Sequence, residues 1–379
     1  MHILQVHNQY QQAGGEDVVV RSEKALLENH HHTVSLFLTD NHTIKNVLEK
    51  LTTVATIAYS RKSRQQLKNA IANIQPDIVH VHNFFPRLTP SIYDAAAELG
   101  VPVVQTLHNY RTICPGAFLM RDGKICEVCV KHSAYHAVKY GCYRDSTLGT
   151  LAVAYMVQSH RQRRTWQTKV SQFIALTEFA RQKFISAGLD ADKLKVKPNF
   201  VTDPLTSTTE KRSGALYVGR LSKEKGLITL LKAWQNLAEI PLTIAGEGEI
   251  VPHLKTNITL LGWQTAPQIK QLMRQSAFLI MPSEWYEGFP MVLVEAFAHG
   301  LPVIASKLGA MAEIVEDGVT GLHFEAGNAN DLANKVHCLQ SQPELCKRLG
   351  QQARQVYLDN YTPEKNYQRL MAIYQAALN

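Results

Sequence analysis

Short apolar, β-branched runs recur along the chain at residues 3–6, 34–38, 78–81, 103–107 and 173–176, and helical patterns separate most of them. Parallel strands need crossover connections and bury both faces, so this alternation predicts parallel sheets covered by helices on both sides, an α/β fold. A polar stretch at 202–214 interrupts the pattern, which then restarts at 215–218, 242–245, 258–261, 278–281 and 303–305. The interruption predicts two doubly wound domains, 1–200 and 201–361, joined by a linker. At 362–379 the residues Tyr367, Leu370, Met371, Tyr374 and Ala377 recur at helical spacing, behind Thr362 as N-cap and Pro363 at the first helical position. That segment is expected to be a helix packing onto another surface. Open α/β sheets bind ligands outside the carboxyl ends of their strands, so the chemistry is sought there, in a cleft between two facing domains.

Composition narrows the class. At 379 residues the chain exceeds the roughly 250–300 that one core supports. With 45% apolar and 19% charged residues, 21 Gly and 15 Pro, it is neither disordered nor collagenous. No apolar run reaches the roughly 18 residues of a membrane-spanning helix, and the opening residues lack the features of a secretory leader. The expectation is a cytoplasmic protein with reduced cysteines, in which the Asn41 and Asn257 acceptor strings carry no glycan. A net charge of +8 favours anionic partners: nucleotides, phosphates, nucleic acid or an acidic membrane surface.

In the second half, the strand at 215–218 runs into Gly219, Arg220, Lys223, Lys225 and Gly226. Arg220 and Lys225 at a strand's carboxyl end suit the charge that builds on a diphosphate leaving group; the alternative is a solvated basic turn. The next strand ends in Gly246, Glu247, Gly248 and Glu249, where backbone can approach a ligand closely. Val251 replaces the third glycine of a dinucleotide fingerprint, which argues against an NAD-type site. The strongest local pattern follows: Pro282, Ser283, Glu284, Trp285, Tyr286, Glu287, Gly288, Phe289 and Pro290, then a helical run to His299 closed by Gly300 and Pro302. The amides of Met291 and Val292 at the start of that helix make an anion site. Glu287 before it and Glu295 in its second turn suit paired sugar or ribose hydroxyls; for Glu287 the alternative is an ion pair or a helix-dipole contact. Glu295 lies among Val292, Leu293, Val294, Ala296 and Phe297, so its burial calls for a partner.

The ordered set of Gly219, Arg220, Lys225, Gly226, Gly246, Glu247, Gly248, and Glu287 and Glu295 around Gly288, Phe289 and Pro290 resembles the retaining nucleotide-sugar glycosyltransferases of family 4, over nearly the whole chain. The resemblance implies a GT-B fold of two Rossmann-like domains, with the donor held mainly by the C-terminal one and the last helix crossing back to the first. It implies that Arg220 and Lys225 hold the donor diphosphate and that Glu295 holds the ribose. Glu287, with the amides after Gly288 and Phe289, would hold the transferred sugar, and Gly262 and Trp263 would border the base. The donor is expected to be a UDP- or GDP-sugar and the acceptor a sugar or lipid-linked hydroxyl. The mechanism would be front-face substitution without a catalytic metal, in polysaccharide or glycolipid assembly.

In the first half, Gly14 and Gly15 open the first helix, with backbone amides that can approach a phosphate or sugar; a plain tight turn is the alternative. His108 ends the strand at 103–107. In similar enzymes the histidine at this position contacts the donor sugar, against a buried structural histidine; His82 and Asn83 are weaker acceptor-side candidates. Between 110 and 145 lies an insertion with Cys114, Cys126, Cys129 and Cys142, whose inner Cys-x-x-Cys pair and flanking pair suit one tetrahedral zinc ion. Free thiols or a disulfide are the alternatives, with His132 and His136 as substitute ligands. Cys338 and Cys346 read as helix-packing residues. Arg161, Arg163, Arg164 and Lys169, near Met156 and Trp166, read as a basic helix face, either solvated or directed at an anionic bilayer or lipid phosphate. Competing readings of the whole are a GT-B phosphorylase or epimerase, a silent scaffold, and a nucleic-acid binder. The last is disfavoured by 8% aromatics and the lack of a recognisable motif.

Overall fold

Each half of the chain builds a six-stranded parallel sheet in the computed structural model, which describes residues 1–9, 14–40, 47–204, 212–248 and 255–379. Of the features named above, residues 10–13 before the first helix, the Asn41 acceptor string, residues 205–211 of the linker, and Glu249 and Val251 lie outside them. The first sheet runs in the order Thr33–Asp40, His2–Gln9, Ile78–Asn83, Val103–Leu107, Gln172–Ala175, Leu194–Val196. The second runs Ile258–Gly262, Leu242–Ala245, Ala215–Val218, Phe278–Met281, Val303–Ser306, Gly321–Phe324. The central strands Ile78–Asn83 and Phe278–Met281 are buried at every position; Phe278–Met281 is therefore an unbroken apolar run, whereas Ile78–Asn83 carries His80, His82 and Asn83 into the interior. Leu194–Val196 and Gly321–Phe324 escaped the apolar pattern because they are short edge strands with Lys195 and His323 in them.

Chain contacts divide the molecule into two units. One comprises Met1–Arg121, Cys126–Asn199 and Asn366–Asn379; the other comprises Asp122–Ile125 and Phe200–Lys365. In the second unit, alternate side chains of one strand build two cores. Phe278 and Ile280 join Trp234 and Leu230 on one face, while Leu279 and Met281 join Phe297, Leu216 and Tyr357 on the other. Burial of each such side chain contributes about 1.5–3 kcal/mol. Among the described residues no helix is long and apolar enough to cross a membrane.

The helix Pro363–Leu378 starts as expected, with the Lys365 amide 3.4 Å from Thr362 Oγ1. It buries Asn366, Leu370, Ile373 and Tyr374. Asn366 Nδ2 donates to Pro198 O at 2.6 Å, and the Tyr374 hydroxyl lies 2.7 Å from His80 Nδ1.

The basic face expected near Trp166 is not one helix face. The chain breaks at Arg163 and Arg164, with Arg164 at φ 54°, into the helices Thr147–Gln162 and Thr165–Lys169. Arg161 donates to the carbonyls of Cys129 and His132 at 3.0 and 2.9 Å, and Lys169 pairs with Asp94. Two of the four cations are thus tied to their own unit; Arg163 and Arg164 are exposed.

Candidate functional site

In the second unit the strand Ala215–Val218 passes into Gly219 and Arg220, and the Tyr217 hydroxyl donates to Arg220 O at 2.7 Å. The glycine turn after Leu242–Ala245 lies against this segment: Leu221 N–H donates to Glu247 O at 2.8 Å, and a Cβ on Gly246 would stand 1.9 Å from Gly219 O. These glycines are demanded by backbone meeting backbone, a stricter reason than ligand approach. Lys223–Lys225 form a 3-10 turn closed by Gly226 at φ 73°, whose missing Cβ would meet Pro282 O at 1.8 Å. That contact places Lys225 beside the loop that follows Phe278–Met281.

Lys225 Nζ lies 2.7 Å from Glu287 Oε1, and the same oxygen accepts from Ser283 Oγ at 2.7 Å and Trp285 Nε1 at 2.9 Å. Glu287 is 5% exposed. The ion-pair alternative for Glu287 is therefore the arrangement found, and Lys225 is not a lone cation. Ser283 and Trp285, which hold the carboxylate in place, were not singled out from the sequence. Their spacing of four and two residues before Glu287 was the available signal. Arg220 is the exposed cation, its guanidinium 3.3 Å from Glu224 Oε1, which also accepts from Ser222 Oγ at 2.7 Å.

The helix Met291–Ala298 begins behind Pro290, and Leu293 N–H turns back to Pro290 O at 3.0 Å. Met291 and Val292 precede that bond, at the positions where helix amides have no acceptor one turn back. Gly288 and Phe289 lead into it, with Phe289 packed against the second core and 6.2 Å from the Tyr361 ring. Glu295 is half-buried in the second turn; burial pushes its carboxyl above the usual value, opposed by Lys270. Gly262 takes φ 68° with open space beside it, and Trp263 after it is 66% exposed.

In the first unit, Gly14 caps the helix Gly15–Asn29, and its N–H donates to Asp17 Oδ2 at 2.8 Å. The Gly14 amide thus belongs to the turn, and Gly15, with nothing within 4 Å of its missing Cβ, carries the remaining expectation of close backbone approach. His108 is half-buried, its Nε2 3.1 Å from His82 Nδ1. A cavity of about 20 Å³, room for roughly one water, is lined by His82, Asn83, His108, Asn109 and Arg111 among others. His82 and Asn83 are themselves buried; His82 contacts His108, while Asn83 Nδ2 donates to Asn8 O at 3.1 Å and Asn83 Oδ1 accepts from the Phe85 amide at 2.9 Å. Burial, then His82 and His7, holds the His108 imidazole well below its usual value; burial, then His80, pushes His82 to about 3.

Behind these rings lie three residues missing from the sequence expectation. Glu23, His80 and Lys197 are all within 1% of complete burial. Glu23 Oε2 is 3.0 Å from Lys197 Nζ, and Glu23 Oε1 is 3.1 Å from His80 Nδ1 and 3.2 Å from His82 Nε2. Burial would raise the Glu23 carboxyl, but Lys197, His80 and His82 outweigh it and hold it well below its usual value. The signal was present: Glu23 interrupts the apolar stripe Val19, Val20, Leu26, Leu27, and His80 and His82 alternate within an apolar strand.

Cys114 and Cys129 are buried, Cys126 and Cys142 half-buried, and all four are free thiols. Burial, then the fields of Cys114, Cys142 and Cys126, pushes the Cys129 thiol up to about 12, so the four share one neighbourhood. Among the described residues, however, the three side chains whose ligand atoms all lie within 4.8 Å of one another are Glu23, His80 and His82, outside the insertion. There the Lys197 ammonium already supplies a positive charge. Cys346 is half-buried against the first core of the second unit.

Two Rossmann-like sheets, the second with cations, a helix start and carboxylates at its strand ends, are the architecture of the GT-B fold class. Residues 2–203 match the family described as Glycosyltransferase Family 4, and residues 206–356 match Glycosyl transferases group 1; the chain belongs to Glycosyltransferase Family 4. It is 32% identical over 168 residues to an uncharacterized glycosyltransferase of Methanocaldococcus jannaschii, covering 42% of this chain and 47% of that one. It is 28% identical to the lipopolysaccharide 1,2-N-acetylglucosaminetransferase of Salmonella typhimurium, over 50% of this chain and 55% of that one. The chain thus spans about half the length of these two relatives. To the alpha-D-kanosaminyltransferase of Streptomyces kanamyceticus it is 24% identical, over 77% and 73% of the two chains. In fold it is similar to a glycosyltransferase from Rickettsia africae, with TM-score 0.71, 19% identity and 100% and 98% coverage. It is likewise similar to Anabaena HepE in complex with UDP and glucose, with TM-score 0.66, 19% identity and 98% coverage of both chains.

Proposed function

We propose that the protein transfers a sugar from a UDP- or GDP-sugar to a hydroxyl of a sugar or lipid-linked acceptor, with retention of anomeric configuration. The observation that carries this reading is the Lys225–Glu287 pair, pinned by Ser283 and Trp285 next to the start of the helix Met291–Ala298. Here a cation, helix amides and a buried carboxylate stand together, the chemistry that a sugar diphosphate requires. Arg220 and Lys225 take the diphosphate, Glu287 and the amides of Met291 and Val292 take the sugar, and Glu295 takes the ribose. Trp263 stacks beside the base at Gly262. In the first unit, Gly15 and His108 are the groups assigned to sugar contact.

In this reaction the bond from the anomeric carbon to the diphosphate oxygen breaks, and a bond to the acceptor oxygen forms on the same face. The acceptor proton passes to the departing phosphate. Charge accumulating on the diphosphate is met by Arg220 and Lys225 in place of a divalent metal, and each is worth about 3 kcal/mol to the transition state. The relative from Salmonella, a lipopolysaccharide 1,2-N-acetylglucosaminetransferase, favours a role in polysaccharide or glycolipid assembly.

A panel of UDP-, GDP- and ADP-sugars in thermal shift tests the donor, because saturation at 100 times Kd adds about 2.7 kcal/mol of stability. One nucleotide should stand out, and proton NMR of the product from that donor reports the anomer. An inverted product rules out retention; absence of any shift rules out the donor class.

The four thiols of the insertion suit a structural zinc ion, which would be held by Cys114, Cys126, Cys129 and Cys142 and would brace a segment whose strands Met120–Arg121 and Lys124–Ile125 have only two residues each. The supporting observation is that Cys114 and Cys142 converge beside Gly116, whose missing Cβ would stand 3.9 Å from Cys114 Sγ and 3.6 Å from Cys142 Cβ. Protein purified without chelator should contain one equivalent of zinc, lost in Cys126→Ser and Cys129→Ser. A metal-free wild type would end this assignment.

A further inference from the structure

Buried polar groups of the first unit run from Lys197 through Glu23 and His82 to His108, and the charges among them bear on the tautomers of His82 and His108. Lys197 Nζ is 3.0 Å from Glu23 Oε2 and 3.2 Å from Asn366 Oδ1. Gln5 Nε2 approaches Glu23 Oε1 at 3.4 Å, and the same oxygen lies 3.1 Å from His80 Nδ1 and 3.2 Å from His82 Nε2, the last a charge contact without hydrogen-bond alignment. A ring lone pair this close to an ionised carboxylate is repelled and an N–H is attracted, so the His82 nitrogen 3.2 Å from Glu23, Nε2, carries the hydrogen. A neutral imidazole has one N–H, which leaves a lone pair on His82 Nδ1. That lone pair lies 3.1 Å from His108 Nε2, so His108 Nε2 is the donor. The remaining nitrogen of His108, Nδ1, is then an acceptor.

Neutrality of His82 follows from the charges enclosed with it. One carboxylate, Glu23, already answers one ammonium, Lys197, at 1% exposure or less, so a second buried cation would be unbalanced. The depressed imidazole of His82 agrees with this. The alternative polarity needs a protonated Glu23. A carboxylic acid donating to His82 Nε2 would move the His82 hydrogen to Nδ1 and reverse the His82–His108 bond. Lys197 prevents this by keeping Glu23 ionised.

We propose that Lys197 and Glu23, acting through His82, are positioning residues that lock His108 in its Nε2–H tautomer and so present Nδ1 to the donor sugar as a hydrogen-bond acceptor. This rests on the reading of His108 as a sugar-contacting group. A sugar hydroxyl then donates to His108, and the imidazole neither protonates the sugar nor adds charge beside the reacting carbon.

The decisive measurement is a long-range proton–nitrogen correlation spectrum of full-length protein carrying nitrogen-15 histidine, at pH 7, with signals assigned by the loss of peaks in His82→Gln and His108→Gln. His82 and His108 should both appear as neutral Nε2–H imidazoles. A Nδ1–H or doubly protonated His108 overturns the lock. In transfer assays His82→Leu, which offers no acceptor, should lose about tenfold in kcat with little change in donor KM. His82→Gln, whose amide keeps one donor and one acceptor, should recover most of that loss. Wild-type rates in both variants also overturn it. If His82→Leu does not fold, the wild-type spectrum decides alone. Failure of transfer with every nucleotide sugar would sink the functional reading without touching the spectrum, so the two failures are distinguishable.

Discussion

Lys225 Nζ and Glu287 Oε1 meet at 2.7 Å across 62 residues of sequence, and the contact ties together the loops after two hydrogen-bonded parallel strands, Ala215–Val218 and Phe278–Met281. On the proposed function, a sugar diphosphate at Lys225 would share the ammonium with Glu287, coupling its binding to the integrity of this loop. Lys225→Ala should reduce transfer by roughly 100-fold. In a cycle with Glu287→Gln, followed by urea unfolding, the two sites should show a coupling of about 0.5–3 kcal/mol. Additive effects would mean that the pair is incidental.

Stability should fall in mild acid. His82, His108 and His7 all bind protons less readily in the folded state than the usual histidine, chiefly through burial. Between their lowered values and about 6.5, the unfolded chain therefore holds more protons, and folding weakens as pH drops below about 6.5. For His82, lowered to about 3, the loss approaches about 2 kcal/mol at pH 5. The Glu23 contribution is present above the ordinary carboxylate value and disappears only further down, as pH falls through its own depressed value. Denaturant midpoints at pH 7.5, 6.5 and 5.5 should decline in order, with a shallower slope for His82→Gln. A flat profile would contradict the burial of neutral imidazoles.

The glycines should separate by their surroundings. Gly226→Ala places a Cβ 1.8 Å from Pro282 O at φ 73° and is expected to cost about 3 kcal/mol or more in thermal unfolding. Gly15→Ala meets nothing within 4 Å and should unfold within about 0.5 kcal/mol of wild type. A fall in donor affinity for Gly15→Ala at unchanged stability would report a ligand at that backbone. Unchanged affinity would remove Gly15 from the proposed site.

Trp263 offers a clean test of base stacking because it is 66% exposed. Trp263→Ala should leave the unfolding midpoint unchanged and weaken nucleotide binding by about 1–3 kcal/mol, by calorimetry. Equal affinity in the variant would place the base elsewhere.

The fold was legible where a strand buried on both faces is apolar throughout, as in Phe278–Met281, while in Ile78–Asn83 the apolar signal came from Ile78, Val79 and Val81 alone. The helix Met291–Ala298 was legible from its own ends, since Pro290 and Gly300 act through local backbone preferences. For the same local reason the final helix appeared at Pro363–Leu378.

Sequence alone determined the α/β class, the order of the apolar inner strands, and the residue types gathered at their ends, because periodicity and turn chemistry act over a few residues. Only the tertiary structure decided which charges meet. Lys225 is paired with Glu287, Arg161 and Lys169 are spent within their own unit, and Lys197 reaches Glu23 across 174 residues. Long-range Coulomb partners and burial depend on packing that no local pattern encodes, so an isolated Glu23 or Lys197 in the sequence reads as surface until the fold encloses both.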